Sequence, residues 1–134
     1  MRKTLVALLL VAGLLVSAWA SEHRMTNAST LVPSATGKAE VQTDDNGNQR
    51  VKLRVYHLAD PEKLSPPRNG YMVWIQPNGK DAEPLGMLRV NKDLEGSIAG
   101  TTPYKRFKVF VTAEENPKAD KPSGDEILHA DIER

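Results

Sequence analysis

The stretch Tyr71-Met72-Val73-Trp74-Ile75 decides how the rest of the chain is interpreted. These five consecutive aromatic, β-branched or sulfur-bearing residues are typical of a buried strand. Gln76-Pro77-Asn78-Gly79-Lys80 follows, and a second apolar run covers residues 85–90. Because Pro-Asn-Gly favours a tight turn, the two runs are predicted to form a hairpin at the centre of a sheet. Trp74 is the only tryptophan after residue 20, and it is predicted to anchor the core.

Outward from this hairpin, the chain divides into short segments with turn residues between them. Alternation is clearest in residues 49–58, where Val51, Leu53 and Val55 share one face. The predicted strands cover residues 38–43, 49–58, 71–75, 85–90, 97–102, 107–113 and 126–132. This spacing predicts an all-β fold, a seven-stranded antiparallel β-sandwich with an immunoglobulin-like layout. An eight-stranded barrel is the alternative, and it would need another strand from residues 21–34.

The N-terminus has the pattern of a secretory signal peptide. Met1-Arg2-Lys3-Thr4 is basic, residues 5–16 carry no charge, and Ser17-Ala18-Trp19-Ala20 resembles a cleavage site. We therefore expect residues 1–20 to be removed and the protein to be periplasmic or secreted, with no membrane span after cleavage. The alternative is an uncleaved anchor, but the charge-free stretch is shorter than the ~20 residues of a spanning helix.

Charge and cysteine content restrict the partners of the exported chain. The full sequence has 18 Lys and Arg against 17 Asp and Glu, and loss of Arg2 and Lys3 leaves a net charge of −1. Near-neutrality argues against a nucleic-acid or anionic-membrane binder, since both need clustered positive charge. With no cysteine, the protein must fold by packing alone. We expect a flexible leader over residues 21–34 and one sandwich domain over residues 35–134.

The sequence does not point to an enzyme. It has no cysteine and no Gly-x-Ser-x-Gly motif. The acid pairs Glu114-Glu115 and Asp125-Glu126 are adjacent in sequence, so each pair would project to opposite faces of a strand. We therefore expect no catalytic residues and no cofactor.

A metal site is possible only at the new N-terminus. His23, His57 and His129 are the only histidines, and none has the spacing of a common metal motif. Cleavage after Ala20 would leave Ser21-Glu22-His23, whose amine, amides and imidazole suit square-planar Cu(II) or Ni(II), with Met25 nearby. The alternative is that His23 is a chance residue of the leader. His57 is interpreted as a rim or core histidine.

Residues 71–132 resemble the C-terminal extracytoplasmic domain of the anti-sigma-K factor family. The similar segments are Tyr71-Met72-Val73-Trp74-Ile75, Pro84-Leu85-Gly86, Val111-Thr112-Ala113-Glu114 and Pro122-Ser123-Gly124. The resemblance implies the sensor half of such a factor, without the cytoplasmic helical domain that holds a sigma factor.

The same residues have a physical interpretation of their own. Thr112 and Glu114 are two apart on one strand, so they face the same way. Glu114 is predicted to accept hydrogen bonds from backbone donors of residues 116–125, and Gly124 to permit the turn into the last strand.

Together these observations predict an exported, non-catalytic binding or interaction module. Its partner would be an envelope protein or a small envelope ligand, reached through the loops of residues 59–70 and 116–125. The alternative is a periplasmic metal-handling protein that uses Ser21-Glu22-His23.

Overall fold

The computed structural model describes residues 20–134, so residues 1–19, with almost all of the predicted signal peptide, lie outside the described part. Residues 20–134 form nine strands and one turn of 3-10 helix at Pro61–Lys63. The strands are β1 (Ser21–Arg24), β2 (Thr26–Asn27), β3 (Thr36–Thr43), β4 (Gln49–Tyr56), β5 (Gly70–Pro77), β6 (Glu83–Val90), β7 (Gly96–Thr102), β8 (Arg106–Glu114) and β9 (Asp125–Glu133). All strand pairs are antiparallel. The predicted all-β antiparallel class is confirmed.

The seven predicted strands are present as β3 to β9, but the described chain has two more. Both come from the segment expected to be an irregular leader, and that expectation is wrong for residues 21–27. Ser21 and His23 are half-buried, Glu22 and Arg24 are exposed, and Met25 is buried in the core. The inward side chains are mostly polar, so the alternation is not visible as a hydrophobic pattern.

The N-terminal segment brings the sheet close to a barrel. The strand order is β1-β3-β4-β7-β6-β5-β8-β9-β2, and its two ends are successive parts of the chain on either side of Met25. Met25 N–H donates to Gly37 C=O at 2.8 Å, after which the chain moves from β3 to β9. Counted as one strand, β1 and β2 complete a ring of eight. The alternative barrel is therefore a closer description than a seven-stranded sandwich.

Strand β6 divides its pairing between two neighbours. It pairs with β5 as far as Tyr71–Leu88, and then with β7 through Arg89–Ser97 and Val90–Gly96. The β5–β6 register shifts at a β-bulge between Val73 and Trp74. Gly86, the partner of Val73 on β6, has a positive φ of 151°. The β5–β6 ladder ends at Leu88, because β5 begins at Gly70, one residue before Tyr71.

The main core lies inside the ring, and it does not contain Trp74. Alternation along β5 sends Tyr71, Val73 and Ile75 inward. The inward side chains of the other strands include Val41, Val51, Leu53, Val55, Leu88, Phe107, Val109, Val111, Ile127, Leu128 and Ile132.

Trp74 is fully buried, but it belongs to a small cluster on the outer face with Met72 and Phe110. The prediction that it anchors the core is therefore wrong in location. A run of five apolar residues does not show which face is inside when both faces of the strand are covered.

We expect Met25→Ala to destabilise the protein by about 2 to 5 kcal/mol, since it removes a buried side chain from the main core. The exposed neighbour Thr26 is the matched control, and Thr26→Ala should change stability by at most about 0.5 kcal/mol. Urea unfolding of both variants measures the difference. Equal stability of the two variants would show that residues 21–27 are not part of the folded unit.

Candidate functional site

A buried carboxylate fixes the loop between β8 and β9. Glu114 is fully buried and its side chain accepts hydrogen bonds from Thr112 Oγ1 at 2.5 Å, Ser123 Oγ at 2.7 Å and Gly124 N–H at 3.0 Å. Thr112 Oγ1 also accepts from Trp74 Nε1–H at 2.8 Å. The predicted interaction of Glu114 with residues 116–125 is confirmed, and the link to Trp74 extends it.

The donors around Glu114 determine its ionisation. Burial alone raises the pKa of Glu114, but hydrogen bonds from Thr112, Ser123 and Gly124 outweigh burial, and the net pKa is lowered. A Cβ on Gly124 would lie 1.7 Å from the Ala113 carbonyl oxygen, so the close approach requires glycine. The predicted role of Gly124 in this turn has a steric basis.

We expect Glu114→Gln to destabilise the fold by about 1.5 to 3 kcal/mol at neutral pH, because it replaces charge-assisted hydrogen bonds. The lowered pKa means that the carboxylate contributes stability above the unfolded-state pKa of about 4.3 and loses it as pH falls through the folded-state value. Unfolding at pH 7 and at pH 3 should show the gap to wild type shrinking in acid.

The adjacent Glu115 provides the control for this variant. Its side chain is 75% exposed, and its ion pair with Arg68 Nη1 is long, at 3.9 Å. Glu115→Gln should therefore have little effect on stability at either pH. A Glu114→Gln gap that stays constant down to pH 3 would contradict the ionised state of Glu114.

The histidines do not converge on a metal site in the described residues. His23 lies in β1 opposite Ala39, with Nε2 at 2.9 Å from Ser21 Oγ. His57 is exposed with φ 59°, beyond the end of β4, so it is not a core residue. His129 Nδ1 lies 3.0 Å from Glu126 Oε2. Residues 20–134 contain no group of three or more potential His or carboxylate ligands.

Cu(II) capture by Ser21-Glu22-His23 would compete with the fold. The square-planar set needs the amide nitrogens of Glu22 and His23. Met25 N–H is hydrogen-bonded to Gly37 C=O, and hydrogen-bonded pairs recur at every second residue of an antiparallel ladder. His23, which pairs with Ala39, lies two residues before Met25, so its amide N–H is also bonded to β3. The hypothesis therefore requires β1 to leave β3, and Met25 is buried in the core rather than available as a ligand.

A crevice of about 580 Å³ lies at the end of the β5–β6 ladder. Its walls come from the start of β5, the end of β6, the connection of residues 59–70 and the hairpin loop of residues 91–95. The lining residues are Asp60, Pro61, Asn69, Gly70, Tyr71, Met87, Leu88, Arg89, Val90, Asn91, Lys92 and Leu94. Met87 is 51% exposed and Leu94 is 37% exposed, and they are the two exposed large hydrophobic residues of the described chain. Both line this crevice.

Hydrogen bonds hold the connection of residues 59–70 against the crevice. The Tyr71 hydroxyl donates to Ala59 C=O at 2.7 Å, and burial raises the pKa of this phenol to about 12. Asn69 N–H donates to Glu114 C=O at 2.9 Å. The two loops predicted to bind a partner therefore meet at this end of the barrel, but only the first of them lines the crevice.

Leu94 occupies a backbone position that normally needs glycine. The hairpin loops of residues 44–48 and 91–95 have the same hydrogen bonds: the fourth N–H donates to the first C=O at 3.1 Å in each. The side-chain oxygens of Asp44 and Asn91 each accept from the third and fifth N–H groups. The fourth residue is Gly47 with φ 82° in one loop and Leu94 with φ 60° in the other. Leu94 is thus held in a left-handed conformation beside the crevice.

We expect Gly47→Leu to destabilise the protein by about 1 kcal/mol, the conformational cost of a left-handed leucine. A Cβ at Gly47 meets no atom within 4 Å, so the substitution tests backbone conformation without a clash. Asn46→Leu, at an exposed position with ordinary φ, is the control and should be nearly neutral. Thermal unfolding measures both. An unchanged melting temperature for Gly47→Leu would remove the argument for strain at Leu94.

A row of cations crosses the outer face next to the crevice. The strand register aligns Arg24, Lys38, Arg54, Ser97 and Arg89 across β1, β3, β4, β7 and β6. Net charge gave no sign of this cluster, because acidic residues elsewhere balance it. Alternation within β4 predicted the outward direction of Arg54, but only the pairing of β4 with β7 and of β7 with β6 brings Arg89 to the same face.

Sequence reasoning also missed Met87 and Leu94. The predicted strands at residues 85–90 and 97–102 left residues 91–96 as a connection without a site, and the structure forms a hairpin loop there from Asn91 to Glu95. The similarity between Asp44-Asp45-Asn46-Gly47-Asn48 and Asn91-Lys92-Asp93-Leu94-Glu95 was a usable signal, since both begin with Asp or Asn.

Comparison with known proteins adds no assignment: no family model, curated protein or solved structure matches this chain. In the part of the chain that the structure describes, no helix is long and apolar enough to cross a membrane.

Proposed function

We propose that this chain is an exported, non-catalytic binding module that resembles the extracytoplasmic domain of anti-sigma-K factors. Its location would be periplasmic or secreted, and its partner would occupy the crevice between β5 and β6. The observation that carries the proposal is the placement of both exposed large hydrophobic residues, Met87 and Leu94, on this one crevice.

The conformation of Leu94 supports a binding role. A leucine with φ 60° is less stable than glycine at the same position, and the equivalent loop of this protein has Gly47 there. Strained residues that persist in a fold often serve a site, and Leu94 places an apolar side chain at the crevice.

The dimensions of the crevice also support binding. A space of about 580 Å³ falls within the 300–1,000 Å³ typical of small-ligand pockets. Its lining combines apolar side chains with polar groups from Asp60, Asn69, Arg89, Asn91 and Lys92. This combination suits one apolar group of a ligand or partner, oriented by nearby polar contacts.

A hydrogen-bonded network behind the crevice also supports binding, and it lies in the segments that resemble anti-sigma-K factors. Trp74, Thr112, Glu114, Ser123 and Gly124 are connected by successive hydrogen bonds. Asn69 links the crevice wall to this network through Glu114 C=O. A fixed wall reduces the loss of conformational freedom on binding.

Methyl NMR with ¹³C-labelled methionine tests the crevice directly. The probe is monomeric 1-decanol, which has an aliphatic chain and no charge. We expect the Met87 methyl resonance to shift on titration, whereas the resonance of Met25, which is buried in the main core, remains in place as an internal control. Met87→Ser with Leu94→Asn should weaken decanol binding about tenfold, since two apolar contacts are lost.

Asn is chosen at residue 94 because it tolerates the left-handed conformation, so the hairpin keeps its shape. Thermal unfolding of the double variant verifies the fold. Decanol binding that leaves Met87 unshifted, or that survives both substitutions, would overturn the crevice as the site.

A further inference from the structure

A second cavity, of about 500 Å³, adjoins the crevice on the cationic face. It lies over Ser97, and we call it the slot; Lys52, Arg54, Tyr56, Arg89, Val90, Asn91, Glu95, Gly96 and Ser97 line it. Arg89, Val90 and Asn91 line both the slot and the crevice. The two spaces therefore share a rim of three successive residues and lie next to each other.

Strand register creates the slot. Arg54 pairs with Ser97, and Ser97 pairs with Arg89 on its other side. Neighbouring strands are about 4.8 Å apart, so the backbones of the two arginines lie about 10 Å apart. The short Ser97 side chain leaves the space between them open and contributes a hydroxyl to its floor.

The slot has an excess of positive charge. Its lining has three cations, Lys52, Arg54 and Arg89, and one acidic residue, Glu95, while Glu40 lies outside it, opposite Lys52 in the β3–β4 register. None of these three cations forms a salt bridge with another residue of the described chain. Guanidinium groups bind carboxylate, sulfate and phosphate oxygens through paired hydrogen bonds, so two arginines on either side of a hydroxyl suit an oxyanion.

We infer that the ligand is a single-chain amphiphile with an anionic head. The aliphatic chain lies in the crevice against Met87 and Leu94, and the head lies in the slot between Arg54 and Arg89. This inference rests on the proposed binding function and specifies the class of ligand. Two adjoining spaces of ligand size, one with exposed apolar side chains and one cationic, match the two parts of such a molecule.

Three probes with one chain length test the head group: decanoate and decyltrimethylammonium below their critical micelle concentrations, and 1-decanol below its solubility limit. Calorimetry and methionine-methyl NMR report affinity and site. We expect decanoate to bind at least tenfold more tightly than decanol, and decyltrimethylammonium to bind most weakly. Added salt should reduce the preference for decanoate, because the slot is open to solvent.

Substitutions in the slot separate a specific site from general attraction. Lys52→Gln with Arg54→Gln should lower decanoate affinity at least tenfold and leave decanol affinity unchanged, since neither residue lines the crevice. The matched control is Arg24→Gln with Arg50→Gln, which removes the same charge from the same sheet face without touching the slot. An equal loss of decanoate binding in the control would overturn the slot as the head-group site.

The outcomes also separate this inference from the proposed function. If decanol and decanoate both shift Met87 with equal affinity, the crevice binds and the anionic head is wrong. If neither shifts Met87, both proposals fail. Binding to vesicles of 70% phosphatidylcholine and 30% phosphatidylglycerol, without binding of monomeric decanoate, would overturn the inference in favour of a lipid surface.

Discussion

The divided pairing of β6 is the constraint on which the rest of this structure depends. The strand joins β5 as far as Tyr71–Leu88 and continues with β7 through only two residue pairs. Residues 83–88 of β6 therefore belong to the wall that contains Trp74, and Arg89 and Val90 belong to the cationic face. A crevice opens where the strand changes neighbours, because Leu88 is its last residue paired with β5. The hairpin of residues 91–95 lies beside this opening.

Burial and hydrogen bonding stabilise the wall on which the crevice depends. The side chain of Glu114 binds Ser123 and Gly124, and so holds the β8–β9 loop at the end of β8. A buried carboxylate with several donors remains ionised, as its lowered pKa indicates. The indole of Trp74 donates to Thr112 within the same network. This wall is rigid for electrostatic reasons, whereas the interior of the barrel is packed with aliphatic side chains.

The proposed ligand site has a residue that its backbone conformation disfavours, whereas the equivalent loop of the scaffold has the favoured residue. Asp44-Asp45-Asn46-Gly47-Asn48 has the glycine that its loop geometry favours, and Asn91-Lys92-Asp93-Leu94-Glu95 has leucine at the equivalent position. Departures from local rules are expected at functional positions, where a side chain serves a purpose other than folding. The cationic slot lies next to Leu94, and its Lys52, Arg54 and Arg89 form no salt bridge among residues 20–134.

The sequence by itself determined strands β3 to β9, the hairpin turns and the contact of Glu114 with its loop, because each depends on alternation or on residues close in the chain. It did not reveal β1 and β2, since their inward residues before Met25 are polar. It placed Trp74 in the wrong cluster, because alternation separates two faces without naming the inner one. Only the tertiary structure brought Arg54, Ser97 and Arg89 into one row and opened the crevice at Leu94. Those features depend on which distant strands pair and where a pairing ends, and no local pattern encodes either.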